Sequence, residues 1–254
     1  MNYEGQICRG PMERSSYMLP VAVGCSYNRC KFCTLFRHLK YRELPMEQIE
    51  AELERVRNLG GNPKHVFLGD GNAFGLDTGR LLKITDLIHR YFPDCCAINM
   101  DATVTNIRAK SQEELQALRA AGIRHLYLGI ESGLDDVLVR MEKDHNLDQA
   151  YRQIDRIQNA GFIYDAHIMT GIAGHGRGRE NAYATAEFFN RTRPRRVINF
   201  SLFLSHSAPL YREAQAKTIA SCHGSWKTCR NGTAASGTSD HPRAPGIRRI
   251  PRPH

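Results

Sequence analysis

Three cysteines in one short segment are the residues of this chain with the clearest capacity for chemistry. Cys25, Cys30 and Cys33 lie within nine positions in a C-x4-C-x2-C arrangement, and the residues between them are mostly polar. Three thiolates can ligate three irons of a 4Fe–4S cluster and leave the fourth iron free to bind a substrate or cofactor. The triplet therefore predicts a metal centre rather than a set of buried, unligated thiols.

A zinc site is the alternative interpretation of this segment. Cys25, Cys30, Cys33 and His38 form a plausible ligand set for Zn²⁺. Small zinc modules are usually self-contained, whereas this triplet follows the first strand of a long series of strands and helices, which favours the cluster. Metal content separates the two hypotheses, because about four irons per chain indicate a cluster and one zinc indicates the alternative.

Six short apolar segments alternate with amphipathic ones and must position these cysteines. Several are apolar almost throughout, which is typical of strands covered on both faces. Their repetition with helices between them predicts an α/β fold, either a doubly wound sheet or an open barrel. The predicted strands are 17–24, 65–69, 97–101, 125–131, 164–171 and 196–204, and the predicted helices are 46–59, 78–91, 111–121, 147–157 and 180–191.

Polar or glycine-rich sequence follows several predicted strands. Parallel strands bring their carboxyl ends to one side of a sheet, where α/β proteins place their sites. The alternatives are an Asp-Gly turn, a helix cap near residue 134 and a flexible glycine loop after residue 171. The candidates are Gly69, Asp70 and Gly71 after the second strand, Asn99 and Asp101 at the third, Glu131 after the fourth and Gly171 after the fifth.

The cysteine segment carries a family resemblance. A strand ends in Gly-Cys-Ser at the first cysteine, and Phe32 supplies an aromatic residue before the last one. Over roughly residues 10–212 the chain resembles the radical S-adenosylmethionine (SAM) superfamily, and within it the coproporphyrinogen-oxidase-like iron–sulfur oxidoreductases. The usual signature of the superfamily is C-x3-C-x-aromatic-C, so the C-x4-C-x2-C motif is a variant. The resemblance implies a partial, open TIM-like βα barrel of about six parallel strands.

The resemblance also implies an activity. Cys25, Cys30 and Cys33 are expected to hold a 4Fe–4S cluster, while Asp70 with its flanking glycines and Glu131 are expected to contact SAM. Gly171 opens a glycine loop that could approach the nucleoside closely. The expected reaction is reductive cleavage of SAM, giving a 5′-deoxyadenosyl radical that abstracts hydrogen from a substrate. The substrate is unknown, and the expected electron donor is a protein such as flavodoxin or ferredoxin.

The positive charge of the chain is concentrated in its last part. Of the net charge of +9 on 254 residues, the segment 217–254 carries +6 and the first 216 residues carry +3. We predict an N-terminal extension over 1–15, the barrel over 16–212, and a disordered or out-of-frame basic tail over 213–254. A nucleic-acid binder acting through this tail is a further alternative, but Trp226 is its only aromatic residue, which argues against nucleic acid as a partner.

The sequence also predicts a compartment. It has no apolar run of the roughly 18 residues that a membrane span requires, and its first 16 residues lack the apolar core of a secretory signal. We therefore predict a cytoplasmic protein without a membrane partner. In a reducing cytoplasm, its eight cysteines are expected to be metal ligands, catalytic groups or buried apolar residues rather than disulfides.

Overall fold

A computed structural model describes residue 4 and residues 8–215 of the chain. The chain divides into two compact units, Met1–Glu213 and Ala214–His254. Of the second unit only the first two residues are described, so the basic tail predicted over 213–254 lies almost wholly outside the described residues.

Six parallel strands form the central sheet: β1 (Tyr17–Pro20), β4 (His65–Gly69), β5 (Ala97–Ala102), β6 (Ile123–Glu131), β7 (Ile163–Thr170) and β8 (Val197–Ser201). They follow the order β1-β4-β5-β6-β7-β8, and a short antiparallel hairpin of β2 (Ala22–Val23) and β3 (Arg42–Glu43) lies between the first two in sequence. A doubly wound sheet reverses its strand order at a switch point, whereas a barrel does not. Since β1 and β8 do not pair within the described residues, the fold is the open, partial barrel that the resemblance implied.

Among the described residues, seven α-helices connect the strands: α1 (Met46–Asn58), α2 (Thr78–Tyr91), α3 (Val104–Arg108), α4 (Gln112–Ala120), α5 (Asp135–Arg140), α6 (Leu147–Asn159) and α7 (Gly178–Thr192). An eighth helical segment follows β8 and covers residues 209–215, up to the last residue described. The predicted capping box at the start of α4 is present, because Ser111 and Glu114 each accept a hydrogen bond from the other's backbone N–H. The apolar stripes of the long helices pack on the outer face of the sheet and form the main core. In the described part of the chain, no helix is long and apolar enough to cross a membrane.

The first predicted strand, 17–24, is divided in two. Pro20 has no N–H to donate, and the chain then turns away from the parallel sheet. Val21 donates to the carbonyl of Gly69 at 2.5 Å and accepts from the N–H of Leu44 at 3.0 Å. The following two residues therefore pair with β3, and the hairpin leads the chain into the cysteine segment.

The inner face of the sheet surrounds a lumen that the N-terminal segment enters. Met18, Phe67, Tyr127 and Ile198 form a separate apolar cluster there. Gly10 packs among them, since a Cβ added to it would lie 3.5 Å from Cε1 of Tyr127 and 3.9 Å from Cδ1 of Ile198. Gly10 and Glu13, in the segment predicted as an N-terminal extension, are thus buried inside the barrel, while residues 9, 11, 12, 14 and 15 are exposed.

Candidate active site at the mouth of the barrel

The cysteine loop follows β2 at the mouth of the barrel, by which we mean the end where the parallel strands finish. Cys25, Cys30 and Cys33 are free thiols, and each is partly buried. Arg37 holds the loop in shape, because its guanidinium donates hydrogen bonds to the carbonyls of Cys33 at 2.9 Å, Arg29 at 2.9 Å and Cys30 at 2.7 Å. One exposed arginine therefore ties together the backbone around two of the three cysteines.

A chain of side-chain hydrogen bonds fastens this loop to the ends of β4 and β5. The amide oxygen of Asn72 accepts from the backbone N–H and the hydroxyl of Ser26, at 3.0 and 3.1 Å. The amide nitrogen of Asn72 donates to Oδ1 of Asn106 at 3.0 Å, and Asn106 completes the capping box of α3. Neither asparagine could be predicted from its local sequence, because the contact joins segments that are distant along the chain.

Gly71 brings the end of β4 against the start of the cysteine loop. Its φ is +58°, and a Cβ added there would lie 2.7 Å from Cα of Cys25 and closer still to the carbonyl oxygen of Gly24. No side chain fits at that distance. The predicted close approach at Gly71 is therefore to the cysteine loop itself, so this glycine determines where Cys25 lies.

Asp70 presents an unsatisfied carboxyl group beside the loop. Only 4% of the residue is exposed, and its Oδ1 is buried with no hydrogen-bond partner among the described residues. Burial raises the pKa of Asp70 to about 6. Gly69 precedes it without crowding, since a Cβ added there would be in ordinary contact with Cε of Met18 at 3.5 Å. A ligand with an ammonium group would satisfy this carboxylate.

Glu131 ends β6 and is paired with a lysine that the sequence analysis missed. Its φ is +65°, next to an irregularity in the pairing of β6 with β7. Nζ of Lys143 lies 3.4 Å from its carboxylate, and both side chains are at most 9% exposed. Burial opposes the charged form of Lys143, but the Glu131 carboxylate raises the pKa of Lys143 overall. The positive φ of Glu131 and the burial of its ion pair with Lys143 both lower the stability of the folded chain. Such unfavourable features are typical of functional positions.

The turn that carries Lys143 is fixed from the neighbouring strand end. Thr105 donates from its backbone N–H and its hydroxyl to Oδ2 of Asp144, at 2.9 and 2.8 Å. His145 lies 2.9 Å from the other carboxylate oxygen of Asp144. Burial raises the pKa of the Cys30 thiol to about 11, and the Lys143 ammonium opposes that rise. Lys143 is therefore a fixed positive charge between Glu131 and the cysteine loop.

Two further candidates lie at the edge of this arrangement. Gly171 follows β7 and is exposed, and a Cβ added there would be in ordinary contact with Cβ of Leu202 at 3.5 Å. It opens a loop at the mouth, as predicted, but none of its recorded contacts involves Asp70 or Glu131. His38, the predicted fourth ligand of the zinc alternative, is exposed on the far part of the cysteine loop.

The donor set fits a cluster held by three thiolates. Across residues 8–215 no three Cys, His, Asp or Glu side chains are already arranged around a common metal position. The three thiols nevertheless share one loop. Burial is the main cause that raises the pKa of Cys33 and of Cys30. The charge of Cys25 raises the pKa of Cys33 further, and the charge of Cys33 raises the pKa of Cys30 further. Thiols that repel one another's ionised forms in this way are stabilised as thiolates by a bound metal. The unpaired Asp70 oxygen beside them leaves room for a second, cationic ligand.

These features match a known family. The sequence model described as the Radical SAM superfamily matches residues 19–189, which include all three cysteines, Asp70 and Glu131. The chain belongs to the radical SAM superfamily. Enzymes of this superfamily bind a 4Fe–4S cluster and SAM, so these are the cofactors of the family to which the chain belongs.

Individual relatives support the predicted likeness to the coproporphyrinogen-oxidase-like group. The heme chaperone HemW of Bacillus subtilis is 25% identical over 151 residues, which cover 57% of this chain and 40% of the relative. A tRNA-2-methylthio-N(6)-dimethylallyladenosine synthase of Chlorobium phaeobacteroides is 28% identical over 164 residues, covering 61% of this chain and 36% of the relative. The chain therefore spans less than half the length of these curated relatives.

Solved structures show the same fold. Coproporphyrinogen III oxidase (HemN) of Escherichia coli superimposes with a TM-score of 0.59 at 16% identity, covering 83% of this chain and 52% of that one. The cobalamin-dependent SAM radical enzyme OxsB superimposes with a TM-score of 0.63 at 16% identity, covering 81% of this chain and 36% of that one. At these identities the likeness concerns the fold alone.

Proposed function

We propose that this chain is a radical SAM enzyme in which Cys25, Cys30 and Cys33 hold a 4Fe–4S cluster. The observation that carries the proposal is the fixed position of the three free thiols beside the unpaired carboxyl of Asp70 at one end of the barrel. When bound, the cluster supplies an electron for the reductive cleavage of SAM into methionine and a 5′-deoxyadenosyl radical, which abstracts hydrogen from the substrate.

The surrounding residues have separate tasks in this proposal. Asp70 accepts hydrogen bonds from the ammonium group of SAM, because its buried carboxylate otherwise has an oxygen without a partner. Glu131 lies on the opposite flank and binds SAM from there, while Lys143 neutralises its charge and keeps a positive charge near the cofactor carboxylate. Gly69 and Gly171 present backbone without a side chain to SAM, Gly69 beside Asp70 and Gly171 on the β7 side.

Anaerobic reconstitution with iron and sulfide tests the proposal. We expect about four irons per chain and, with dithionite and SAM, slow release of 5′-deoxyadenosine even without substrate. Cys25→Ala, Cys30→Ala and Cys33→Ala should each prevent cluster formation. Cys96→Ala is the matched control, because Cys96 is exposed and follows α2 at the opposite end of the barrel, where its Sγ contacts the carbonyl of Lys64. A full cluster in any of the three variants, or one zinc per chain in place of iron, would overturn the assignment.

The wider setting of the enzyme is also proposed. A reducing protein such as flavodoxin or ferredoxin supplies the electron, and the free thiols among residues 8–215 suit a cytoplasmic protein. The relatives include tRNA-modifying enzymes and a heme chaperone. The chain covers less than half of each relative, so the substrates of these relatives are not assigned to it.

A further inference from the structure

A cavity of about 280 Å³ lies at the base of the barrel, by which we mean the end where the parallel strands begin. Its walls include the first residues of β4, β5 and β7, which are His65, Ala97 and Ile163, and part of the segment that precedes β1. The cavity is therefore at the opposite end of the lumen from the cysteine loop. The proposed function gives no role to any residue that lines it.

Side chains inside the lumen separate this cavity from the mouth. Along β4 and β6, the inward residues that follow the cavity wall belong to an apolar cluster, because side chains alternate along a strand. The members of the cluster are Met18, Phe67, Tyr127 and Ile198. Glu13 is 3% exposed and accepts hydrogen bonds from Nδ2 of Asn99 at 2.8 Å and from the hydroxyl of Tyr127 at 2.5 Å. A ligand of the cavity therefore enters from the base and does not share the space beside the cysteine loop.

Three arginines line the cavity, and they reach it from two sides. Arg124 lies on β6 beside His125, where the register of β5 with β6 shifts and both residues line the cavity. Arg195 and Arg196 come from the segment just before β8. The guanidinium groups of Arg124 and Arg195 have no hydrogen bond or ion pair with the residues that the structure describes. Glu13 is the only carboxylate among the described lining residues, which leaves the lining with a net charge of +2.

Two buried polar atoms of the cavity wall also lack partners. Asn99 is 7% exposed, and its Oδ1 accepts no hydrogen bond from the described residues. His125 is 8% exposed, and its Nε2 lies 3.1 Å from Oδ2 of Asp165 in a geometry that makes no hydrogen bond. The ring of His125 stacks on that of Tyr127, with centroids 4.8 Å apart, which fixes its position. Burial of such atoms is unfavourable until a ligand supplies their hydrogen bonds.

We propose that this cavity binds a small phosphate monoester, and that Arg124, Arg195 and Arg196 hold its phosphate group. The phosphate dianion neutralises the charge of the lining, and guanidinium groups form bidentate, charge-assisted hydrogen bonds with phosphate oxygens. Because the arginines approach from two sides, a tetrahedral phosphate with three terminal oxygens suits them better than a planar carboxylate. This site does not depend on the proposed function.

The size and polarity of the cavity limit the organic part of the ligand. Small-molecule sites usually have volumes of about 300–1,000 Å³, so a cavity slightly below this range accepts only a short organic group. A hydroxyl on that group can donate a hydrogen bond to Oδ1 of Asn99, which has no other partner in the described structure. Glycerol 3-phosphate has both features and is therefore a suitable probe.

Binding of glycerol 3-phosphate to the full chain tests this site, with glycerol and succinate as the neutral and dicarboxylate analogues. At physiological ionic strength we expect calorimetry to detect glycerol 3-phosphate only. Arg124→Gln and Arg195→Gln should each weaken its binding at least tenfold. Arg152→Gln is the matched control, because Arg152 is exposed on α6 and pairs there with the exposed Asp148. No binding by the wild type, equal binding of either analogue, or an equal loss in Arg152→Gln would overturn the proposal.

A second measurement uses the wild type alone and so needs no variant to fold. Phenylglyoxal modifies guanidinium groups, and mass spectrometry reports the rate at each arginine. Glycerol 3-phosphate should slow the modification of Arg124 and Arg195 at least threefold and leave that of Arg152 unchanged. Equal protection of all three arginines would indicate non-specific association of the anion, and it would overturn the proposal, as would a lack of protection at Arg124 and Arg195.

Discussion

The buried carboxyl group of Asp70 is energetically unfavourable without a ligand. A carboxyl group that is 4% exposed, with one oxygen lacking a partner in the described structure, loses hydration without gaining a compensating hydrogen bond. The cysteine loop passes directly beside it, held to the same strand end by Asn72. Binding of a cation would offset this loss of hydration. Substitution of Asp70 should therefore change the affinity for a cationic ligand.

We expect Asp70→Asn to weaken SAM binding about tenfold or more, since a charge-assisted hydrogen bond contributes about 1.5–3 kcal/mol. The pKa of Asp70 is raised to about 6, so the carboxylate is largely protonated below that pH. Wild-type affinity for SAM should therefore fall as the pH drops through about 6, and Asp70→Asn should lack this step. Equilibrium dialysis across pH 5–8 measures both effects. An unchanged pH profile in the variant, or cluster loss as its main defect, would count against the role.

Lys143 should be required for stability as well as for the site. Lys143→Met leaves the buried Glu131 carboxylate without its partner, and breaking such a pair costs about 3–5 kcal/mol. Adding Glu131→Gln should recover part of that loss, because the uncompensated charge is removed. Thermal unfolding of the single and double variants measures the coupling, with the exposed Lys64→Met as the control. Additive losses in the double variant would show that the two residues act independently.

The sequence was informative about those site residues that follow a strong local pattern. The position of the cysteine triplet, Asp70 and Glu131 at the mouth could be predicted because each follows an apolar strand in a fold whose strand ends converge. Lys143 could not, since it lies in a turn after the short helix α5 and reaches the site only through tertiary packing. The role of Asn72 could not be predicted either, because its hydrogen bonds to Ser26 and Asn106 join segments more than 30 residues apart in sequence.

At the scale of elements, the contact between the end of β4 and the cysteine loop leaves no room for an added side chain at Gly71. Gly71→Ala would place a Cβ 2.7 Å from Cα of Cys25 on a backbone with φ of +58°. We expect a loss of about 1–3 kcal/mol and a lower iron content after reconstitution, because the loop must move. Gly178→Ala is the control, since a Cβ there meets nothing within 4 Å. Full iron loading in Gly71→Ala would show that the loop tolerates the displacement.

The same scale shows where prediction of the fold succeeded and failed. The strand 65–69 and the long helices α1, α2 and α6 were predicted closely, because hydrophobic periodicity persists over whole elements. The strand predicted over 17–24 was wrong in its second half, because the chain leaves the parallel sheet after Val21 and β2 pairs with β3 instead. β3 and α3 were missed because two and five residues are too few to show a period.

At the scale of the molecule, the open edge of the barrel is the main exposed apolar surface among the described residues. β8 pairs only with β7 in that part of the chain, and four large apolar residues on or after it are 39–80% exposed: Val197, Phe200, Phe203 and Leu204. Unpaired strand edges with apolar side chains promote association between chains. Association between chains is therefore expected at this edge.

We expect the protein to self-associate in a concentration-dependent manner through this edge. Phe203→Glu, at the most exposed of these positions, should shift the species observed by light scattering towards the monomer. Tyr183→Glu is the control, because Tyr183 is 69% exposed on α7, outside this edge. An equal shift in both variants would indicate a general effect of charge rather than the β8 edge.

The passage of the N-terminal segment through the lumen affects how the chain folds. Glu13 bonds to Asn99 and Tyr127, which follow it by 86 and 114 residues. Contacts between residues so distant in sequence form late and slow folding, because a long loop must close first. During synthesis, Glu13 leaves the ribosome before β5 and β6 are translated. Its buried hydrogen bonds can therefore form only after both strands have been made, when the barrel assembles around this segment.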